Sequence, residues 1–147
     1  MRWGEIFNMD EKKILHGRKV VEGKVEGYAI VAKHDCISFM GSTNPKTGYI
    51  IERGHELEGV CMKGKILCFP TSRGSTGGSY MLYDAVKRGV GPVGIINIEA
   101  ESIVIIGAIV SDLPMIDKID LNEIETGDYI VMDATNGVVE VTKKRDS

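Results

Sequence analysis

Short apolar runs, separated by glycine and other turn residues, recur along the first half of the chain. From Lys19 to Ala32 the apolar residues are mostly valine and isoleucine, and two glycines interrupt them. Valine-rich runs broken by glycine are typical of bent or bulged strands. We therefore expect a strand pair or one long curved strand here. Residues 65–69 form another apolar run, which ends at Pro70 and predicts a buried strand.

The second half of the chain continues this pattern. We interpret residues 93–98 and 102–110 as two strands, because residues 103–106 form a β-branched run typical of a strand covered on both faces. Pro114 and Asp117 then indicate a loop.

Two further segments have strand character. Asn136-Gly137 lies between apolar runs at 129–132 and 138–141, and an Asn-Gly pair in that position predicts a β-hairpin. Residues 49–51 follow a turn-rich segment and are typical of a short strand.

One stretch has a helical pattern instead. Its apolar residues fall at i, i+1, i+4 and i+5 between Met81 and Val86. Two basic residues follow, which complement the negative end of a helix dipole, and Gly89 is typical of the position just past a helix end.

The predicted elements sum to eight or nine short strands and one or two helices, a mixed α/β and strand-rich fold. We expect a single domain over residues 1–147. Within it, we expect residues 1–17 to form an N-terminal extension or a short helix. We expect residues 143–147 to form a flexible tail.

Composition narrows the class of protein. The 147 residues are 43% hydrophobic and 27% charged, which excludes wholesale disorder. A net charge of −3 provides no basic footprint for nucleic acid. The sequence contains no run of about 20 apolar residues, so we expect no membrane-spanning helix. The three cysteines are irregularly spaced, and the N-terminus lacks a secretion-signal pattern, so we expect a cytoplasmic protein whose thiols serve packing and bind no metal.

The most informative loop precedes the predicted helix. It contains Arg73, Gly74, Ser75 and Thr76, followed by two more glycines. Backbone N–H groups at a helix N-terminus bind anions, and an arginine fork suits carboxylate or phosphate. The alternative is an ordinary capped helix start, with glycines present for the turn. Because arginine, hydroxyls and glycines coincide, we favour an anion-binding function.

Ser75 also has a chemical interpretation. Neighbouring N–H donors and a cation would stabilise its alkoxide, so it could act as nucleophile or base. No histidine is adjacent in sequence and no G-x-S-x-G elbow occurs, so the sequence does not favour a serine hydrolase. We expect the three histidines to be surface or packing residues.

Several separated motifs, in order, resemble the small subunits of the aconitase-X group. The resemblance spans roughly Val20 to Val141. The motifs are S-F-M-G-S-T-N-P-K-T-G, G-H-E-L-E-G, G-K-I-L-C-F-P-T-S-R-G-S-T-G-G-S-Y, G-V-G-P and G-A-I-V-S-D-L-P.

This resemblance implies the swivelling β/β/α domain of aconitases, with a barrel-like sheet core and flanking helices. It implies a hydro-lyase active only with a large subunit, which would carry a [4Fe-4S] cluster. Similarity to archaeal members implies dehydration of (R)-5-phosphomevalonate to trans-anhydromevalonate 5-phosphate, in a modified mevalonate route to isoprenoids.

The family pattern also implies residue roles. It places the proton-accepting serine at Ser75, in agreement with the residue chemistry above. We expect the substrate, a small anion, to be bound by Arg73, Gly74, Thr76, Ser72 and Ser38.

Three alternatives remain at this stage. Ser72 also lies beside Arg73 and is a second candidate for the base. Related two-chain enzymes dehydrate cis-3-hydroxy-L-proline. A non-catalytic swivelling or interaction domain is a third interpretation, although a phosphocarrier version would need a histidine between Pro70 and Tyr80, where none occurs.

Overall fold

The computed structural model describes residues 11–73 and 77–144. Among them are eight strands, two α-helices and one short 3-10 helix. The strands are β1 (Lys12–His16), β2 (Arg18–Val21), β3 (Lys24–Val31), β4 (Ile66–Phe69), β5 (Gly94–Asn97), β6 (Met115–Asp117), β7 (Tyr129–Asp133) and β8 (Val138–Thr142). The helices are α1 (Gly77–Lys87) and α2 (Ser102–Val110), and the 3-10 helix is Leu121–Glu123. The predicted mixed α/β, strand-rich fold is confirmed.

All eight strands join one mixed sheet in the order β1-β8-β7-β3-β4-β5-β6-β2. Strand β3 connects its two halves. Its first part, Lys24 to Tyr28, pairs antiparallel with β7. Its last part, Ala29 to Val31, pairs parallel with β4. Parallel pairing continues from β4 through β5 to β6, whereas β1, β2 and β8 are paired antiparallel.

The core lies on both faces of the parallel strands. In β4, Leu67 and Phe69 pack into a cluster with the two helices, and Ile66 and Cys68 pack into a second cluster with β7 and β8. Because successive side chains of a strand point to opposite faces, a strand with both faces covered is apolar throughout. All four residues of β4 are buried, as the apolar run ending at Pro70 predicted.

The strand predicted for residues 102–110 is wrong, because this segment is helix α2. The Glu101 side chain caps it by accepting hydrogen bonds from the N–H groups of Ile103 and Val104. Strands β5 and β6 are parallel, so the chain must cross over between them, and a helix is the usual crossover. The loop predicted around Pro114 and Asp117 is also wrong in part, since β6 occupies Met115–Asp117.

Other predicted elements are confirmed. The strand character predicted from Lys19 to Ala32 is confirmed, because the segment forms β2 and β3 on either side of Gly23, which has a φ of +135°. The two strands do not pair with each other: β2 pairs with β6 at one edge of the sheet, and β3 lies between β7 and β4. Helix α1 ends before Gly89, which has a φ of +79°. Strands β7 and β8 form the predicted hairpin, and its loop spans residues 134–137.

Parts of both predicted terminal segments form defined contacts with the rest of the fold. Residues 12–16 of the predicted extension form β1, which pairs antiparallel with β8 instead of forming a short helix. At the other end, Asp128 holds the start of the predicted tail: it accepts hydrogen bonds from Lys143 Nζ (2.6 Å) and Lys144 N (2.8 Å). The remaining residues of both predicted segments, 1–10 and 145–147, lie outside the described residues.

A long connection between β3 and β4, residues 32–65, covers one face of the sheet. It contains isolated bridges, among them Thr43 with Ile50 and Tyr49 with Cys61, in place of the strand predicted at 49–51. This connection carries half of the candidate site described below. Neither α-helix of the described residues has the length and apolar character needed to cross a membrane.

Candidate active site

The predicted anion-binding loop follows β4 at the carboxyl edge of the parallel strands. In open sheets of this kind, ligands bind in the crevice outside the carboxyl ends of the strands. Buried Asn97, the last residue of β5, donates from Nδ2 to the Phe69 carbonyl oxygen at 2.9 Å. The Pro70 carbonyl oxygen accepts from the N–H groups of Ile98 and Glu99, each at 3.0 Å. The start of the loop is therefore tied to the neighbouring strand.

Three of the predicted site residues, Gly74, Ser75 and Thr76, lie outside the described residues. The flanking residues Arg73 and Gly77 are described. Helix α1 begins at Gly77, four residues after Arg73, in the segment where the sequence predicted a helix.

Ser72 has a main-chain partner. It is 8% exposed, and its Oγ donates to the Ile37 carbonyl oxygen at 2.6 Å. Residue Ile37 in turn forms a parallel bridge with Ser72, and its N–H donates to the Thr71 carbonyl oxygen. The Ser72 hydroxyl therefore joins the loop after β4 to the connection between β3 and β4.

Arg73 lies at the surface of the same site, with its side chain 53% exposed. Its Nη2 donates to Glu52 Oε1 at 2.9 Å and lies 3.4 Å from Ser42 Oγ. The fold thus places the arginine of one loop against a carboxylate and a hydroxyl of another.

Ser38 and Ser42 form a tight turn beside Arg73. The Ser42 N–H donates to the Ser38 carbonyl oxygen at 2.7 Å, and the Ser38 N–H donates to Ser42 Oγ at 3.1 Å. Both residues are buried. The fold therefore brings the predicted residues Ser38, Ser72 and Arg73 to one region.

Glu52 and Ser42 are the residues of this region that the sequence prediction missed. The hydrogen bond from Ser42 lowers the pKa of Glu52 most; burial opposes this, and Arg73 lowers the pKa further. The net result is a pKa below the ordinary glutamate value, so Glu52 is a carboxylate at neutral pH. A glutamate 21 positions from its arginine leaves no local sequence signal, although Ser42 lies within the S-F-M-G-S-T motif.

Met40 connects this turn to the start of α1. A Cβ atom added to Gly77 would lie 2.6 Å from Met40 Cε and 2.8 Å from Sδ. Glycine at position 77 therefore allows the side chain of the 38–42 turn to lie against the helix N-terminus. Met40 is itself 50% exposed, so it forms part of the rim of the site.

No imidazole among the described residues forms a hydrogen bond with a side chain of the site. His55 is buried, its Nε2 lies 2.9 Å from the Cys36 carbonyl oxygen, and its Nδ1 accepts from the Leu57 N–H at 3.0 Å. A carbonyl oxygen can only accept, so Nε2 carries the proton. Both ring nitrogens bind main chain, which confirms a packing role. His16 and His34 are exposed, as expected.

A separate polar cavity of about 610 Å³ lies elsewhere. Its lining contains none of the described predicted site residues. Two lysines of its lining are paired with carboxylates, Lys143 with Asp128 and Lys33 with Glu125. We therefore place the candidate site at Arg73 and not in this cavity.

Comparison with known proteins agrees with this fold. The family model described as the aconitase X swivel domain matches residues 14–141. The chain is 45% identical over 131 residues to the phosphomevalonate dehydratase small subunit of Methanocella arvoryzae, covering 87% of this chain and 98% of the relative. It is 48% identical over 130 residues to the protein of that name from Methanocaldococcus jannaschii, covering 88% and 98%.

A solved structure shows the same fold. The crystal structure of Thermococcus kodakaraensis aconitase X in its holo form is similar with a TM-score of 0.86 and 43% identity, covering 89% of this chain and 99% of that chain. The predicted aconitase-type swivelling fold is thereby confirmed. The chain belongs to the aconitase X swivel domain family.

Proposed function

We propose that this chain is the small subunit of a two-chain hydro-lyase that dehydrates (R)-5-phosphomevalonate to trans-anhydromevalonate 5-phosphate. The observation that carries the proposal is the similarity to archaeal phosphomevalonate dehydratase small subunits over nearly the full length of both chains. The partner is a large subunit, as the names of these relatives imply.

Arg73 supports an anionic substrate of this kind. Phosphomevalonate carries a phosphate and a carboxylate, and a guanidinium binds either group through two parallel hydrogen bonds. Arg73 precedes helix α1, whose N-terminal N–H groups also favour negative charge. We expect Gly74, Thr76 and Ser38 to complete the contacts to the substrate.

We propose Ser75 as the group that accepts the C–H proton of the substrate. We favour Ser75 over Ser72, because the hydroxyl proton of Ser72 is directed to the buried Ile37 carbonyl oxygen. A base must receive a proton from substrate, and a buried hydroxyl engaged with main chain is poorly placed for that. Arg73 and the helix N-terminus would stabilise the Ser75 alkoxide.

The departing hydroxyl requires an electrophile, which we place on the large subunit. Among the residues that the structure describes, no group of three or more His, Cys, Asp or Glu side chains is arranged to hold a metal ion. The [4Fe-4S] cluster implied by the family resemblance would supply Lewis-acid assistance from the partner chain. This chain would supply the base and the anion-binding residues.

The experiment is to co-express both subunits, purify the complex anaerobically, and measure dehydration of (R)-5-phosphomevalonate and of cis-3-hydroxy-L-proline. We expect turnover of the first substrate. Dehydration of hydroxyproline alone, or of neither substrate, would refute the proposed activity.

Serine variants of the complex test the base. Ser75→Ala should lower kcat by about 10²–10⁴-fold, the range for loss of a general base. Ser72→Ala should keep most of the turnover and lower thermal stability, because it removes the hydrogen bond to Ile37. Exposed Ser102, in α2, provides a matched Ser→Ala control. Full turnover by Ser75→Ala would show that another group is the base.

A further inference from the structure

We propose that Glu52 is a positioning residue, which orients the Arg73 guanidinium toward the substrate anion while buried Ser42 holds the Glu52 carboxylate in place. The proposal rests on the function proposed above and assigns a role to a carboxylate outside the predicted site residues.

The contact between the two side chains leaves part of the guanidinium for a ligand. The hydrogen bonds that the Arg73 side chain forms with other described residues all run through one nitrogen, Nη2, which donates to Glu52 Oε1 at 2.9 Å. A guanidinium has five N–H donors in a rigid plane. Holding one corner of the plane therefore sets the direction in which the other donors point.

Ser42 gives the carboxylate a defined orientation. Ser42 is fully buried, and its Oγ accepts a hydrogen bond from the Ser38 N–H at 3.1 Å. The hydroxyl has one proton, which it donates to Glu52 Oε1 at 2.5 Å. The same carboxylate oxygen thus receives a buried hydroxyl and an arginine, and the hydroxyl cannot rotate away without losing its partner.

The backbone that carries Glu52 is also held. The Ile51 N–H donates to the Ser42 carbonyl oxygen at 2.7 Å, and the Ile50 N–H donates to the Val60 carbonyl oxygen at 2.9 Å. These bonds fix the residues immediately before Glu52 to the rest of the connection. The carboxylate therefore extends from a well-anchored segment toward the more exposed arginine.

Electrostatics and orientation predict opposite effects for loss of this carboxylate. Glu52 places negative charge beside the residue proposed to bind an anion, so by charge alone its removal should strengthen substrate binding. If Glu52 orients Arg73, its removal should weaken binding, because a long side chain must then be ordered when substrate binds. Ordering one such side chain is worth about a tenfold change in affinity.

The test uses Glu52→Gln in the assembled two-subunit enzyme. We expect KM for (R)-5-phosphomevalonate to rise about tenfold, because the variant loses the charge that holds Arg73. We expect kcat to change less than about twofold, because the variant keeps the shape of the side chain. The matched control is Glu58→Gln in the same connection, whose carboxylate accepts from the Gly54 N–H and not from Arg73. Its KM should equal that of the unaltered enzyme.

A double variant separates positioning of Arg73 from other effects. Arg73→Lys alone should raise KM more than Glu52→Gln does. The double variant should be no worse than Arg73→Lys, because Glu52 then has no guanidinium to orient. Glu52→Asp, which keeps the charge on a shorter side chain, should be intermediate between the unaltered enzyme and Glu52→Gln.

Three results would overturn the role of Glu52: a lower KM in Glu52→Gln, an unchanged KM, or additive effects in the double variant. If Glu52→Gln failed to assemble, Ser42→Ala would provide the second measurement, with a smaller rise in KM expected and an unchanged KM counting against the proposal. Calorimetric titration with phosphomevalonate in a Ser75→Ala background, where turnover is slow, measures the same shift in Kd. If the unaltered enzyme neither bound nor dehydrated phosphomevalonate, the proposed function itself would be refuted.

Discussion

Gly48 and Gly54 have the same backbone conformation in different surroundings, so they separate two costs of adding a side chain. Each has a φ of +83°. A Cβ atom added at Gly48 would lie 2.4 Å from the main-chain oxygen of Val90, whereas one added at Gly54 would meet no atom within 4 Å. Replacing each by alanine tests how rigidly the connection between β3 and β4 is held.

The expected costs follow from this geometry. A residue with a Cβ costs about 1–2 kcal/mol in the left-handed region, and both variants carry that cost. Gly48 cannot move away from Val90 freely, because its N–H donates to the Asn44 carbonyl oxygen and its own carbonyl oxygen accepts from the Met62 N–H, each at 2.8 Å. Weakening these two bonds costs about 1 kcal/mol each. We expect losses of about 3–4 kcal/mol for Gly48→Ala and about 1–2 kcal/mol for Gly54→Ala.

Urea and thermal unfolding of the isolated chain would measure this difference. For a chain of this size, 1 kcal/mol corresponds to about 2–4 °C in Tm. Gly54→Ala should therefore lower Tm by about 2–8 °C, and Gly48→Ala by about 6–16 °C. Equal losses of unfolding free energy in the two variants would refute the reasoning, because they would show that the contact with Val90 relaxes at no cost.

Three other predictions concern different parts of the fold. Burial raises the pKa of Asp117, but two hydrogen bonds from Arg18 and one from a main-chain N–H lower it more, so its pKa lies below the ordinary value. Its ionised form therefore stabilises the fold at neutral pH, and this contribution is lost as the pH falls below about 4. In urea unfolding, Asp117→Asn should lower the unfolding free energy by about 2–3 kcal/mol at pH 7 and by less in acid. A difference that does not depend on pH would contradict the pairing with Arg18. Glu101→Ala removes the cap of α2 and should lower the unfolding free energy by about 1 kcal/mol, whereas an unchanged value would show that packing alone sets this helix start. Burial raises the pKa of the Cys68 thiol, so a disulfide reagent should modify the two partly exposed cysteines in the native chain and Cys68 only after unfolding; three fast-reacting thiols would contradict this burial.

Local pattern was sufficient for many elements of the fold. The apolar run of β4, the Asn-Gly hairpin and the glycine-terminated helix α1 each have a short-range physical cause, and all three were predicted. Residues 102–110 were not, because a β-branched run is compatible with a buried strand or with a buried helix. Tertiary structure decided between them: β5 and β6 are parallel, and the crossover segment packs the small residues Gly107 and Ala108 against α1.

The candidate site shows the same division. Arg73, Ser72 and the helix start could be identified from sequence, because they are close together in one loop. The hydrogen bond from the Ser72 hydroxyl to the Ile37 carbonyl oxygen could not be predicted, since the two residues are 35 positions apart. Glu52 was missed for the same reason: a single carboxylate has no spacing that links it to a distant arginine.

The sequence by itself determined the alternation of strands and turns, the position of the predicted anion-binding loop before a helix, and the family. These properties depend on residues near one another in the chain. The tertiary structure alone decided that Ser72 binds main chain and that Ser42 and Glu52 hold Arg73. Those contacts arise because the 32–65 connection folds across the carboxyl edge of the parallel strands, and no local sequence pattern specifies which residues then meet.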